Sequence, residues 1–392
     1  MAAPKLRFKE FDGDWSASNL EQTTQYFKGF AFKSESYKED GIRIIRVSDL
    51  DKDSIKYQNE AIFLDKIEAQ NYLNWEVKKK DIIVTTVGSK PHLIDSAVGR
   101  PIFVKNDSEG LLNQNLLVLR PKNENIDAYF IFSQLLDKKY LTHIETIQRG
   151  NANQSNITVK DLQEFEVFQT SKEEQTKIAS FLSAVDEKIS QLTQKHELLS
   201  QYKQGMMQKL FSQQIRFKAD DGSEFGEWEE TNFSSQFNFH NTNSHSRALL
   251  AEHGEIMNIH YGDIHTKFSM LFDVTKEPVP FLNEGIDTNK ISEDQFLKVG
   301  DLVIADASED YKDIGKTIEV INLGSQKIIA GLHTYIARPI HPFALGFCGY
   351  LMQTFEVREQ IKKLATGISV LGISKTNLGK VEWRIQAASA TV

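Results

Sequence analysis

From Ile178 to Leu210 apolar residues recur at spacings that alternate four and three: Ile178, Leu182, Val185, Ile189, Leu192, Leu199, Met206 and Leu210. His196 and Lys203 fill the two slots where the series skips. This is the heptad seam of a coiled coil. Ser171 with Glu174 three residues on makes a capping box at its start, no proline follows until after Ser212, and Gly205 is the one weak position. The pattern predicts an unbroken helix from Lys172 to Phe211, about 60 Å long. A helix with one long apolar stripe does not stay bare in water, so a partner helix is expected to cover it.

On either side the rhythm changes. Residues 16–170 alternate short β-like runs with turn signals: Ile42 to Val47, Asp81 to Val87, Gly99 to Val104, and Leu116 to Leu119 before Pro121. A helical stretch is predicted over Asp127 to Leu141, then a polar loop over Gln148 to Asn156, then a strand over Glu164 to Phe168. Residues 229–384 repeat that order, with Phe343 to Leu364 in the helix position and Ala365-Thr366-Gly367 in the loop position.

The order repeats because the sequence repeats. Leu6-Arg7-Phe8-Lys9 and Trp15 are answered by Ile215-Arg216-Phe217-Lys218 and Trp228. Val77 to Val84 is answered by Leu297 to Ile304, Arg120-Pro121 by Arg338-Pro339, and Asn156 to Leu162 by Gly372 to Leu378. From the tryptophans onward the offset stays between 213 (Trp15 to Trp228) and 220 (Asp81 to Asp301), so one unit of roughly 170 residues is duplicated. The expected fold class is α+β: two duplicated mixed domains, mostly antiparallel with helices on one side, separated by a long helical spacer. The expected domains are residues 1–170 and 214–385, with the helix over 171–213 and a short tail over 386–392.

Composition narrows the function classes. The single cysteine, Cys348, excludes an intrachain disulfide and a thiolate metal cluster and reads as a small buried residue. No apolar run approaches the length of a membrane span and the N-terminus lacks a signal-peptide pattern, so the sequence reads as cytoplasmic and without a membrane partner. A net charge of −8 argues mildly against nucleic acid, but the charge is uneven, with local basic stretches at Lys78-Lys79-Lys80 and from Lys28 to Lys38.

Residues suited to reading DNA fall in matched places of the two repeats. The loop Arg149 to Asn156 gathers Arg149, Asn151, Asn153, Gln154 and Asn156 beside Gly150, a set able to hydrogen-bond base edges and phosphates. Its counterpart around Thr366 is unlike it. Lys28, Phe30 and Lys33 are answered by Asn241, His245 and Arg247, and Ser89-Lys90 by Tyr311-Lys312. A plain polar surface loop is the alternative for Arg149 to Asn156, and strand packing accounts for the Lys28 and Asn241 segments as simply as DNA contact does. Seven of the ten histidines lie in the second repeat, including His240, His245, His260 and His265; without cysteine partners or a His-Glu-x-x-His spacing they read as hydrogen-bond donors or solvated surface, and no metal is expected.

Catalytic constellations are not found. Gly315-Lys316-Thr317 lacks a phosphate-loop glycine because Asp310 stands five residues earlier, and Asp306, Glu309 and Lys312 are only a loose carboxylate set. No glycine-rich cofactor loop and no Asn-Pro-Pro-aromatic tetrapeptide occurs.

The run Glu173 to Asp186 and the run Leu198 to Phe211 resemble the central conserved region of type I restriction-modification specificity subunits. The resemblance extends to the Arg-Phe…Trp opening of each repeat and to Asn113-Gln114-Asn115 before Arg120-Pro121. It implies two target-recognition domains, each reading half of a split sequence in double-stranded DNA. It also implies helices that dock methyltransferase subunits through Ile178, Leu182, Val185, Ile189, Leu192, Leu199, Met206 and Leu210, and a restriction and motor subunit that joins the assembly. The chain itself would be noncatalytic and without cofactor, its partners using S-adenosylmethionine, ATP and Mg²⁺. Members carry a second long helix after the second domain; Ile385 to Val392 has no heptad, so that distal helix is expected to be missing or supplied by another chain. A coiled-coil scaffold that binds proteins instead of DNA is the rival reading, and a stand-alone nuclease built on Asp306 is a third.

Overall fold

Strands Ile82–Thr85 and Leu302–Ala305 are apolar at nearly every position, and the computed structural model shows why. It describes residues 4–51, 54–57, 59–91, 97–107, 109–151 and 154–386. The chain divides into two units, residues 1–195 and 196–392, the division falling inside the long helix. In each unit one of these strands lies inside the principal sheet and is covered on both faces.

In the first unit the sheet order is Thr24–Lys28, Leu116–Pro121, Ile82–Thr85, Pro101–Phe103, all antiparallel. Successive side chains of a strand point to opposite faces. Ile82, Val84, Leu117 and Leu119 pack against Ile131, Phe132, Tyr140 and Ile144 of two helices. Ile83, Val118 and Ile102 face the other way, onto Ile45, Leu50 and Val77. A smaller sheet, Ile62–Leu64, Ile42–Ile45, Leu111–Leu112, carries that second layer.

The second unit repeats the plan with a five-stranded sheet, Phe237–His240, Thr334–Pro339, Leu302–Ala305, Thr317–Asn322, Leu271–Asp273. Leu302, Ile304 and Ala337 meet the helices, while Val303, Ala305, Ile318 and Val320 meet Ile259, Ile328 and Ala330 of the second layer. The expected α+β class is what forms, mostly antiparallel but with parallel pairs such as Ile256–Ile259 beside Lys327–Ala330.

The same ion pair pins both sheets. Arg120 donates from Nε and Nη2 to the two carboxylate oxygens of Asp81 at 2.6 and 2.9 Å, and from Nη2 to the Glu76 carbonyl. Arg338 does the same to Asp301 at 2.9 and 2.8 Å and to the Phe296 carbonyl. Each carboxylate also accepts the backbone N–H three residues earlier, Lys78 or Lys298. The echoed Asp and Arg-Pro positions are therefore one buried bidentate contact made twice.

Three sequence expectations are corrected. The predicted helix over Asp127 to Leu141 is two helices, Ala128–Gln134 and Lys138–Ile147, because Asp137 caps the second by accepting from Lys139 N. The predicted helix over Phe343 to Leu364 breaks likewise into Phe347–Leu351 and Phe355–Leu364, where the Thr354 hydroxyl bonds back to the Leu351 carbonyl. The predicted polar loop Gln148 to Asn156 contains a hairpin, Arg149–Asn151 with Gln154–Asn156.

The long helix runs unbroken from Lys172 to Phe211, through Gly205. Half of the capping box forms: Ser171 Oγ accepts the Glu174 N–H at 3.2 Å, but the Glu174 carboxylate turns instead to Arg7, which donates from Nε and Nη2 at 2.6 and 2.7 Å. A guanidinium outcompetes a backbone amide for a carboxylate. Those bonds hold Glu174 below the usual carboxylate range, so what they contribute is present at neutral pH and lost as pH falls through the lowered value. Phe8 packs edge-on to Phe181, with Lys177 over its ring. In the second unit Phe211 packs on Trp228 and Phe347, and Lys203 sits over Tyr350. Arg216, the echo of Arg7, bonds to Glu227 and to the Phe225 and Gly226 carbonyls within its own segment. The expected tail over 386–392 lies, from residue 387, outside the described residues.

Removing either buried carboxylate strands an arginine. Asp81→Ala and Asp301→Ala are each expected to cost about 3 kcal/mol of unfolding free energy, read as a lowered denaturant midpoint; a loss below ~0.5 kcal/mol would mean that the pair does not pin the sheet.

Candidate nucleic-acid interface

Because the central strands are buried on both faces, polar side chains emerge only at their ends. One end holds the Asp–Arg pair; at the other, the separately predicted segments converge. In the first unit Thr85 leads into Val87–Gly88, which pairs with the hairpin at Val87 to Asn156 and Gly88 to Ser155. Ser89 and Lys90 follow directly. Gln154 and Asn156 are exposed; Ser155 is buried and donates to Gln148 Oε1 at 2.6 Å. Arg149, largely exposed, pairs with Asp161 at 2.8 Å. Asn151 belongs to the hairpin strand, and Asn153 lies outside the described residues.

In the second unit Ala307–Ser308 pairs with Leu371–Gly372, and Thr366 and Gly372 exchange backbone hydrogen bonds at 2.9 and 2.7 Å. The tip between them is apolar and open, with Ile368 fully exposed and Val370 over half exposed. Gly150 and Gly367 serve both hairpins alike: each has a left-handed φ, and a Cβ there would lie 2.2 Å from the Gln154 carbonyl or 2.1 Å from that of Val370. Tyr311 and Lys312, both exposed, ride on a turn held by Arg358, which donates to the Lys312, Ile314 and Gly315 carbonyls. Burial lowers the pKa of that guanidinium.

The third predicted pair of segments adjoins the same rim. Gly29 and Phe30 donate to the Leu116 and Leu112 carbonyls, which brings Phe30 beside Asn113; Lys28 and Lys33, on either side, are both exposed. Phe30 itself is committed to packing, its ring in contact with Phe32, Tyr72 and Trp75. In the second unit Asn243 N–H donates to the Ala330 carbonyl and Thr242 Oγ1 to that of Thr334, laying Thr242 and Asn243 along residues 330–334. His245 is half-buried, and its backbone N–H bonds to the Asn243 side chain. Arg247 pairs with the buried Asp263 at 3.0 Å, as does Lys267.

Sequence reading missed a group that only the fold assembles. Tyr261 touches the rings of His260, His265 and His333. His333 Nδ1 lies 3.2 Å from Asp306 Oδ1, and His265 Nε2 lies 3.0 Å from the Ala307 carbonyl. Burial, then the Arg247 charge, lowers the His260 pKa, keeping its ring neutral beside the cation. Burial, then the Asp306 carboxylate, pushes the Tyr335 hydroxyl up to about 12. His240, in contrast, lies with Asp294 at 3.6 Å. Aligning the repeats residue by residue would have drawn attention to His333, which stands where the first repeat has Asn115. Among the described residues no three His, Cys, Asp or Glu side chains converge as a metal-binding set, and no helix is long and apolar enough to cross a membrane.

The seam residues of the long helix separate by position. Ile178, Leu182, Met206 and Leu210 are half-buried near its ends, whereas Val185, Ile189, Leu192 and Leu199 expose 40 to 57% of their surface.

Residues 12–201 match the family described as the type I restriction modification DNA specificity domain. A protein of Methanocaldococcus jannaschii assigned as the specificity subunit of type I restriction enzyme MjaX is 26% identical over 226 residues, 57% of this chain and 52% of that one. The type I restriction enzyme MjaVIII specificity subunit of the same organism is 26% identical over 305 residues, 70% of this chain and 67% of that one. The chain thus spans about half the length of the first relative and two thirds of the second. The fold is that of the crystal structure of the type I restriction-modification system S subunit from M. genitalium, with a TM-score of 0.60 at 16% identity over 98% of this chain and 88% of that one. Residues 12–201 thus match the type I restriction modification DNA specificity domain, and more of the chain is similar to specificity subunits of type I restriction enzymes.

Proposed function

We propose that this chain is the noncatalytic DNA-specificity subunit of a type I restriction-modification enzyme, each unit reading one half of a bipartite target in double-stranded DNA. One observation carries the reading: in both units the turn after the central strand and a hairpin meet at one rim, on the same backbone plan but with unlike side chains. Duplicated frames with divergent rims are what two different half-sites demand. Lys28, Lys33, Lys90 and Arg149 in the first unit, and Arg247 and Lys312 in the second, supply positive charge for phosphates, while Gln154, Asn156, Asn241 and Thr366 supply base-edge partners.

The helix has the second task. Its exposed middle seam is proposed to dock methyltransferase subunits, with the restriction and motor subunit joining through them, and its unbroken length to set the spacing between half-sites. The partners, and not this chain, would use S-adenosylmethionine, ATP and Mg²⁺. A pure protein scaffold would use the same seam but would select no DNA sequence.

Exchanging residues 16–170 for the equivalent segment of a related subunit is expected to change one half of the methylated sequence in the host and leave the other intact; change in both halves, or in neither, overturns the one-unit, one-half-site reading. The seam separates function from stability. Ile189→Gln combined with Leu192→Gln is expected to shift the thermal midpoint of the isolated chain little, because these side chains are over half exposed, yet to weaken methyltransferase-subunit binding at least ten-fold by calorimetry. Unchanged binding would remove the helix from the docking surface.

A further inference from the structure

We infer that Asp306 and His333 in the second unit, with Thr86 and Asn115 at the same places in the first, fix which base each unit accepts beside its hairpin. This rests on the DNA-reading function proposed above and names the residues that would carry it.

The two positions are equivalent by hydrogen bonding and not only by alignment. Thr86 N–H donates to the Asn115 carbonyl at 2.9 Å, and Asp306 N–H donates to the His333 carbonyl at 3.1 Å. The carbonyl of the same residue then accepts from the strand end after the hairpin: Ile157 N–H to Thr86 at 3.0 Å, and Ile373 N–H to Asp306 at 2.9 Å. Each pair thus joins the central strand, the neighbouring strand and the hairpin through backbone alone. The side chains are left over from that task, and they are where the units differ. A hydroxyl and an amide stand in one unit, a carboxylate and an imidazole in the other.

Packing does not explain the difference. The side chains of Asp306 and His333 are 20% and 48% exposed, and none of the four residues belongs to an apolar core. His333 also holds a left-handed backbone, φ 57°, which a non-glycine residue adopts at a cost. A strained polar residue at the rim of a binding face is a frequent mark of function. Asp306 steadies the ring through Nδ1, Nε2 has no partner among the described residues, and Tyr261 packs against the ring's edge.

The chemistry selects base edges over phosphates. A carboxylate repels phosphate but accepts from the exocyclic amine of cytosine or adenine, whereas an amide such as Asn115 pairs with adenine through two hydrogen bonds. Asp306 is therefore placed as a reader of an amine-bearing base, with His333 as its partner, while Lys312 and Arg247 on the same rim serve the backbone.

The test uses the full chain assembled with the methyltransferase subunits of its host and a randomised duplex library. The double variant Asp306→Thr with His333→Asn is expected to change or relax one or two positions in one half-site, with discrimination there falling roughly ten- to hundred-fold. The other half-site and the salt dependence of binding should be unchanged, since no phosphate contact is lost. The reciprocal Thr86→Asp with Asn115→His should alter the opposite half-site. Asp306→Asn, nearly isosteric, guards against misfolding: it should keep the thermal midpoint and still loosen the same position. If the unaltered complex selects a bipartite sequence and all variants select it with equal stringency, the four residues do not read bases and this inference fails alone. If the unaltered complex selects no sequence, the proposed function fails and takes this inference with it.

Discussion

Each unit depends on a strand whose two faces are both buried. Ile82–Thr85 and Leu302–Ala305 meet helices on one side and a second sheet on the other, so apolar contact claims every side chain between their ends. Polar chemistry is thereby confined to the two ends. At one end a buried aspartate takes a bidentate arginine and locks the neighbouring strand in register. At the other, the chain leaves the core as the turn against which the hairpin pairs. The rigid end anchors and the open end varies. Duplicating such a unit yields two rims that diverge in side chains without disturbing the core beneath them.

Much of this was legible in the sequence because it rests on local rules. The heptad from Ile178 to Leu210 gave the long helix with its ends, since nothing along it interrupts the period. The echoed Asp81 and Asp301, with Arg120-Pro121 and Arg338-Pro339, marked the pinned ends before their contact was visible. Strand existence followed from apolar runs bounded by turns. What failed were boundaries set by a single capping side chain: Asp137 and Thr354 each split a stretch whose apolar period continues across the break.

The rims were harder to read. The hairpin Arg149 to Asn156 looks like a loop in sequence because its residues are polar and its pairing partner, Val87–Gly88, lies over 60 positions away. Phe30 looks like a stacking residue until its aromatic neighbours, drawn from Tyr72 and Trp75, are in place. The cluster of Tyr261, His265, His333 and Asp306 draws on three separate segments, and no local pattern brings them together. Internal duplication was the one signal that reached so far. It compares equivalent positions directly, and it exposes differences such as Asn115 against His333 that composition hides.

The two open rims are proposed to read two different half-sites. The most direct measurement is selection of duplex DNA from a randomised pool by the complete enzyme carrying this chain, followed by sequencing of the bound fraction. Two unlike rims predict a bipartite motif with two unlike halves, separated by a gap of fixed length in which any base is accepted. A single contiguous motif, or binding without sequence preference, would contradict it.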